Sequence, residues 1–139
     1  MHISKSLIAA LALIGSQAAA EDAGPFLTVD LNAQATGEAG CLLTFLIDNA
    51  HPSEIESAVF ETVLFDQAGQ VDRLTLFDFG ALPAGRPRVR QFQLDGLACE
   101  DLGKVLINGA STCRVDGKDS AICGQSLKLR SSTAAELIG

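Results

Sequence analysis

Between Phe26 and Arg130 the apolar residues fall in short runs of period two, separated by Gly, Pro, Asn and Asp, a pattern that predicts strands. In the first run, Phe26 to Ala33, one face carries Leu27, Val29, Leu31 and Ala33, and the other Thr28, Asp30 and Asn32. That alternation predicts a half-buried strand, broken at Gly37 to Gly40. From Cys41 to Asp48, residues Cys41, Leu43, Phe45 and Ile47 alternate, while Leu42 and Leu46 make the opposite face apolar too, as in a central strand. A turn-rich loop over 48–53 leads into a long strand, Ser57 to Asp66, with Phe60 and Leu64 on one side and Val59, Val63 and Phe65 on the other. Asp66-Gln67-Ala68-Gly69 predicts a hairpin turn in which Gly69 supplies a positive φ.

Val71 to Phe79 returns as a strand, Gly80 to Gly85 reverses the chain, and Arg88 to Leu94 follows with Phe92 and Leu94 inward, ending at Asp95-Gly96. Lys104 to Asn108 reads as a short strand, Asn108-Gly109 as a hairpin turn, and Ser111 to Val115 as the partner strand. Ser126 to Arg130 is a further strand, with Leu127 and Leu129 inward, and the tail from Ser131 to Gly139 fits either a final strand or a frayed turn of helix. Helix is otherwise limited to a turn around Ala98 to Leu102.

About seven or eight short strands at this spacing predict an all-β, immunoglobulin-like β-sandwich and not an α/β fold. In that strand order the second and fifth strands run antiparallel in one sheet, which brings Cys99, just past the fifth, near Cys41 at the start of the second. Cys113 is then left to close a short loop with Cys123. Four Cys permit three connectivities on sequence grounds alone; the strand order favours Cys41–Cys99 and Cys113–Cys123.

Residues 1–20 carry Lys5, an apolar run from Leu7 to Ile14, and small residues ending in Ala18-Ala19-Ala20, the three-part build of a cleaved secretory signal. The run is shorter than the roughly 20 apolar residues that a membrane span needs. No twin-arginine pair precedes it and no Cys stands at the cleavage point, so export of an unfolded chain without a lipid anchor is expected. Residues 21–139 then form one domain of ordinary size, with no membrane insertion after cleavage and a periplasmic or secreted location. An even number of Cys in an exported chain predicts two disulfides, and the absence of C-x-x-C spacing removes the usual signature of thioredoxin-like, haem-attachment or zinc-knuckle chemistry.

Charge changes the picture once more. The formal net charge is −7, and Lys5 is the one charged residue in the removed segment, so the exported part is more acidic still. Phosphate backbones are repelled by such a surface, and no nucleic-acid partner is expected. Trp and Tyr are absent, and most of the seven Phe are expected in the core.

Thr62 to Val71, with Asp66-Gln67-Ala68-Gly69 at its turn, followed by Gly80-Ala81-Leu82-Pro83-Ala84-Gly85 and Phe92-Gln93-Leu94, resembles the immunoglobulin-like FxLYD class of bacterial exported domains. The resemblance covers roughly residues 41–95. It implies an extracytoplasmic, non-catalytic accessory or binding module and carries over no functional residue. The four Cys and the cysteine-rich last third depart from that class.

No constellation in the sequence amounts to a catalytic, cofactor or metal site. His51 is the one histidine after residue 20; Ser53 and Ser57 lie near it, but no G-x-S-x-G elbow is present, and catalytic zinc sites commonly use two or three His. Glu54 with Glu56, Asp72 with Asp78, and Glu100 with Asp101 are the carboxylate pairs; glycosidase chemistry would need two facing each other across a cleft. Asp116-Gly117-Lys118-Asp119-Ser120 lacks the spaced ligands of an EF-hand and reads as the turn of the Cys113 to Cys123 loop. Arg86, Arg88 and Arg90 recur at every second residue, so an extended chain would align them for an anionic partner; the alternative is an exposed edge strand protected by charge and Pro87. The leading expectation is a non-enzymatic interaction or accessory module acting on another cell-envelope or extracellular protein. A small enzyme inhibitor presenting the Cys113 to Cys123 loop comes second, and a small hydrolase third.

Overall fold

A computed structural model describes Gly15 and residues 26–139; the predicted signal segment, apart from Gly15, lies outside the described residues. Among the described residues nine strands form two sheets. The strands are β1 (Leu27–Thr36), β2 (Gly40–Asn49), β3 (Ile55–Asp66), β4 (Val71–Leu82), β5 (Arg88–Asp95), β6 (Leu102–Val115), β7 (Lys118–Asp119), β8 (Leu127–Ser131) and β9 (Glu136–Ile138). A single 3-10 turn, Cys99–Asp101, stands where a helical turn was expected. The four-stranded sheet runs β5-β2-β1-β8; the five-stranded sheet runs β4-β3-β6-β7, with β9 also on β6. The two sheets pack as the predicted immunoglobulin-like sandwich, with Phe45, Leu43 and Ile47 of one sheet and Phe60, Leu64, Phe79 and Val105 of the other in one buried cluster.

Local chemistry accounts for the turns. Between β3 and β4, Asp66 Oδ1 accepts from the amides of Ala68 and Gln70, and Gly69 takes φ 81°, a conformation that other residues reach only with strain. At the opposite end, Asn49 is buried and donates through Nδ2 to the carbonyls of Ser53 and Leu82 while its Oδ1 accepts from the His51 amide, tying the β2–β3 loop to the end of β4.

Two expectations change, and the tail, open between a final strand and a turn of helix, takes the first form. Asn108-Gly109 makes no hairpin: β6 runs unbroken through it, and both halves pair with β3 instead of with each other, from Phe65↔Lys104 to Ser57↔Arg114. Two bulges absorb the mismatch, where Asn108 and Ser111 are skipped in the register. One long strand keeps Val105, Ile107 and Cys113 against the core along all of β3, burial that a local hairpin would have surrendered. In β1 a bulge at Asn32 interrupts the alternation, so Ala33 is exposed and Gln34 takes the inward side opposite Leu43. The tail forms β9, parallel to Lys104–Leu106, with Ala135 and Leu137 buried.

The disulfides follow the strand order. β2 and β5 are antiparallel with Cys41 opposite Leu94, and Cys41 is bonded to Cys99, four residues after Asp95; Cys113 is bonded to Cys123. At the entry to β2 the chain presses so closely on the Leu94 carbonyl that a Cβ on Gly40 would collide with it. Paired sulfurs point to an oxidising compartment outside the cytoplasm. Among the described residues no helix is long and apolar enough to cross a membrane.

Candidate functional site

The two edge strands β4 and β5 face each other across one open side of the sandwich. Phe77 of β4 and Phe92 of β5 stack there at 4.2 Å between centroids, nearly parallel, and Phe45, Phe60 and Phe79 extend the cluster inward. Arginines close the rim. Arg90 donates from Nε to the Phe79 carbonyl at 2.6 Å and from Nη2 to the Ala81 carbonyl at 3.0 Å, while Arg73 donates to the Asp95 carbonyl at 2.7 Å. The Arg stripe is therefore divided in use. Arg90 is latched onto β4, Arg88 donates to the Pro87 carbonyl, and Arg86 is exposed ahead of β5. Inward-pointing charge on an edge strand is a recognised guard against pairing with foreign strands.

One prediction belongs here. Arg90→Ala is expected to cost about 1 kcal/mol, since the two charge-assisted but solvent-accessible hydrogen bonds to β4 are lost. Arg90→Lys should restore less than half of that, because an ammonium cannot span two carbonyls as a guanidinium does. Urea unfolding midpoints of the three proteins check it, and full recovery by Lys would contradict the bridging role.

The outer side of the five-stranded sheet is different in character. Its register sets Leu74 opposite Val63, Val63 opposite Leu106, and Leu106 opposite Ile138, so an apolar row crosses all four strands β4, β3, β6 and β9. Beside that row Leu76 lies opposite Glu61, and Val71 lies opposite Phe65, whose ring carries Lys104 Nζ at 5.7 Å. Leu74 is 62% exposed, Leu76 59%, Val71 54% and Ile138 38%. These four and Val89 are the exposed large hydrophobic side chains among the described residues, so four of the five gather on one face. Single exposed leucines are ordinary; a contiguous patch marks an interaction surface.

This clustering follows from position in the sheet. β3 is apolar on both sides, and its outward Val63 is only 7% exposed because Leu74 and Leu106 flank it. Leu74 and Leu76 sit on edge strand β4 with nothing beyond them, so the same pattern that buries Val63 leaves them open.

A concavity of about 720 Å³ opens on the other side of the sandwich, where β8 and β9 return to different sheets. It is bordered by Ile107, Asn108, Leu127, Leu129 and Leu137, with Phe60 at its floor. The Cys113–Cys123 loop stands near it. Its tip turns at Asp116 and Gly117, with φ 51° and 70°, as a two-residue hairpin turn requires. Arg114 holds that tip through Asp119 and the Gly117 carbonyl, and Glu56 accepts from the Gly117 amide.

The remaining candidates are scattered. His51 is held by its backbone amide to Asn49 Oδ1, and its Nε2 has no hydrogen-bond partner among the described residues. Asp78 lies opposite Val59 on the outer face of β4, whereas Asp72 sits in the bulge at the start of the strand and pairs with Arg73, so the two carboxylates do not face each other. Glu56 serves the loop tip, and Glu100 and Asp101 lie in the 3-10 turn. Among the described residues no three His, Cys, Asp or Glu side chains converge.

No protein-family model and no curated protein matches the chain. Among solved structures, that of IrmA from Escherichia coli is similar, with a TM-score of 0.62 over 76% of this chain and 92% of that one, at 14% identity. At that identity the likeness speaks to the fold alone.

Proposed function

We propose that this domain is a non-enzymatic interaction or accessory module of the periplasm or cell exterior, and that it engages a partner protein through the outer face of the five-stranded sheet. The observation that carries the reading is the apolar row from Leu74 to Ile138, whose ends Leu74 and Ile138 are open to solvent, as is Leu76 beside it, on a domain with a complete core beneath it. The export signal read over residues 1–20 and the two disulfides support the compartment. The resemblance of residues 41–95 to the FxLYD class supports a module of the same kind.

The test uses surface leucines whose loss spares the core. Leu74→Ser with Leu76→Ser should change unfolding free energy by no more than about 0.5 kcal/mol per site. The same variant should lose the proteins that the unmodified domain recovers reproducibly from cell-envelope extract. Recovery of the same proteins in the same amounts would remove this face from the account.

The pinned tip of the Cys113–Cys123 loop favours a second reading, a small enzyme inhibitor, because a rigid loop loses little entropy on binding. A partner retained by the leucine variant but lost with Lys118→Ser would favour it over the first.

A further inference from the structure

We infer that the surface which fits the outer face of the five-stranded sheet is cationic: an aliphatic centre rimmed by Lys or Arg on a different protein. This rests on the reading of that face as an interface and adds the chemistry of what covers it.

The argument is one of charge placement. Three carboxylates border the leucine pair and the row beside it. Asp78 lies two residues after Leu76 on the same strand face, whereas Asp72 sits in the bulge between Val71 and Arg73. Glu61 lies directly opposite Leu76, and Glu136 opposite Lys104 in the register of β9. Asp72 is already paired, at 2.6 Å, with Arg73 Nε. Glu61 accepts from Asn108 Nδ2 and Asp78 from the Gly80 amide, both neutral donors. Among the described residues Glu61, Asp78 and Glu136 have no cation within ion-pair distance. Lys104 is the cation within the patch, and it lies over the Phe65 ring.

A partner that covers the leucines must dehydrate or face these three carboxylates. Covering them with apolar groups alone leaves charge unpaired at the rim, and covering them with a second copy sets the same carboxylates against one another, both of which oppose association. Lysine or arginine at the partner's rim turns the same groups into attraction and speeds encounter at low salt. The net charge of the full chain, −7, gives the whole molecule the same long-range preference.

Two labelled strand peptides of equal length serve as probes, one alternating Leu with Lys and one alternating Leu with Glu, read by fluorescence anisotropy against the purified chain at low and high salt. The Leu–Lys peptide is expected to bind and the Leu–Glu peptide to fail. Leu74→Asn with Leu76→Asn, which leaves every charge in place, should weaken Leu–Lys binding about tenfold or more. Glu61→Gln with Asp78→Asn should weaken it about threefold and flatten its salt dependence. Binding that ignores the leucine variant is general attraction to an acidic protein, and binding that ignores the charge variant is apolar contact alone; either overturns the inference. Sedimentation decides the remaining case. A dimer abolished by the leucine variant keeps the face as an interface but assigns it to a second copy, which overturns the cationic partner and leaves the reading above standing. Loss of effect in both the extract experiment and the peptide experiment would remove the reading itself.

Discussion

Replacing Cys41 and Cys99 together by alanine is expected to lower the unfolding free energy by roughly 4 kcal/mol, against roughly 3 kcal/mol or less for the Cys113 and Cys123 pair. Loop length sets the order: the first bridge spans 58 residues and the second 10, and the chain entropy withdrawn from the unfolded state grows with the logarithm of that span. Position adds to it. Cys41 is fully buried at the start of β2, and Cys99 opens the 3-10 turn that carries the chain from β5 into β6 of the other sheet. A domain of this size holds about 5 to 15 kcal/mol in all, so the first change alone consumes a large share. Urea unfolding of the two double variants under non-reducing conditions gives the comparison. Equal losses, or a larger loss from the short loop, would count against the loop-entropy account.

Phe79→Ala is expected to cost about 3 to 5 kcal/mol, the range for removing a large aromatic from a packed interior. Phe79 is fully buried and meets Phe45 at 5.6 Å, Phe60 at 5.3 Å and Phe92 at 5.4 Å, so its ring joins the two sheets at the centre of the aromatic cluster. The cavity left behind has walls from both layers and cannot close by moving one strand. Phe79→Leu should recover more than half of the loss by refilling most of that volume. A thermal or urea midpoint close to that of the unmodified protein after Phe79→Ala would show that the cluster repacks and would overturn the prediction.

Much of this architecture was legible because alternation and turn chemistry are local. The two faces of β2 and β3, the Asp66–Gly69 turn and the break at Asp95-Gly96 all depend on residues close in sequence. The disulfide pairing followed from strand order once the sandwich was assumed. Asn108-Gly109 misled because its turn preference is local while the competing gain is not: ten residues of β3, Ser57 to Asp66, accept both flanks of β6. β9 was ambiguous for the same reason, since a three-residue strand is defined by a partner about thirty positions upstream.

The candidate face was half visible. Apolar residues on both sides of β3 and β4 can be read from the chain, but whether the second side is covered depends on which strand ends at the sheet edge. Val63 and Leu74 are alike in sequence and differ ninefold in exposure because one has neighbours on both flanks and the other does not. The Arg stripe was visible as a spacing, whereas the acceptors of Arg90 lie on a strand of the opposite sheet, beyond the reach of any spacing argument.

The parallel pairing of Leu27–Leu31 with Leu127–Ser131 has a consequence for how the chain is made. A polypeptide emerging N-terminus first can give β1 only β2 as neighbour, and neither layer acquires its last strand until nearly the whole chain has appeared. Completion of both layers thereby waits for residues 127–138, so the two-sheet core closes late as the chain emerges.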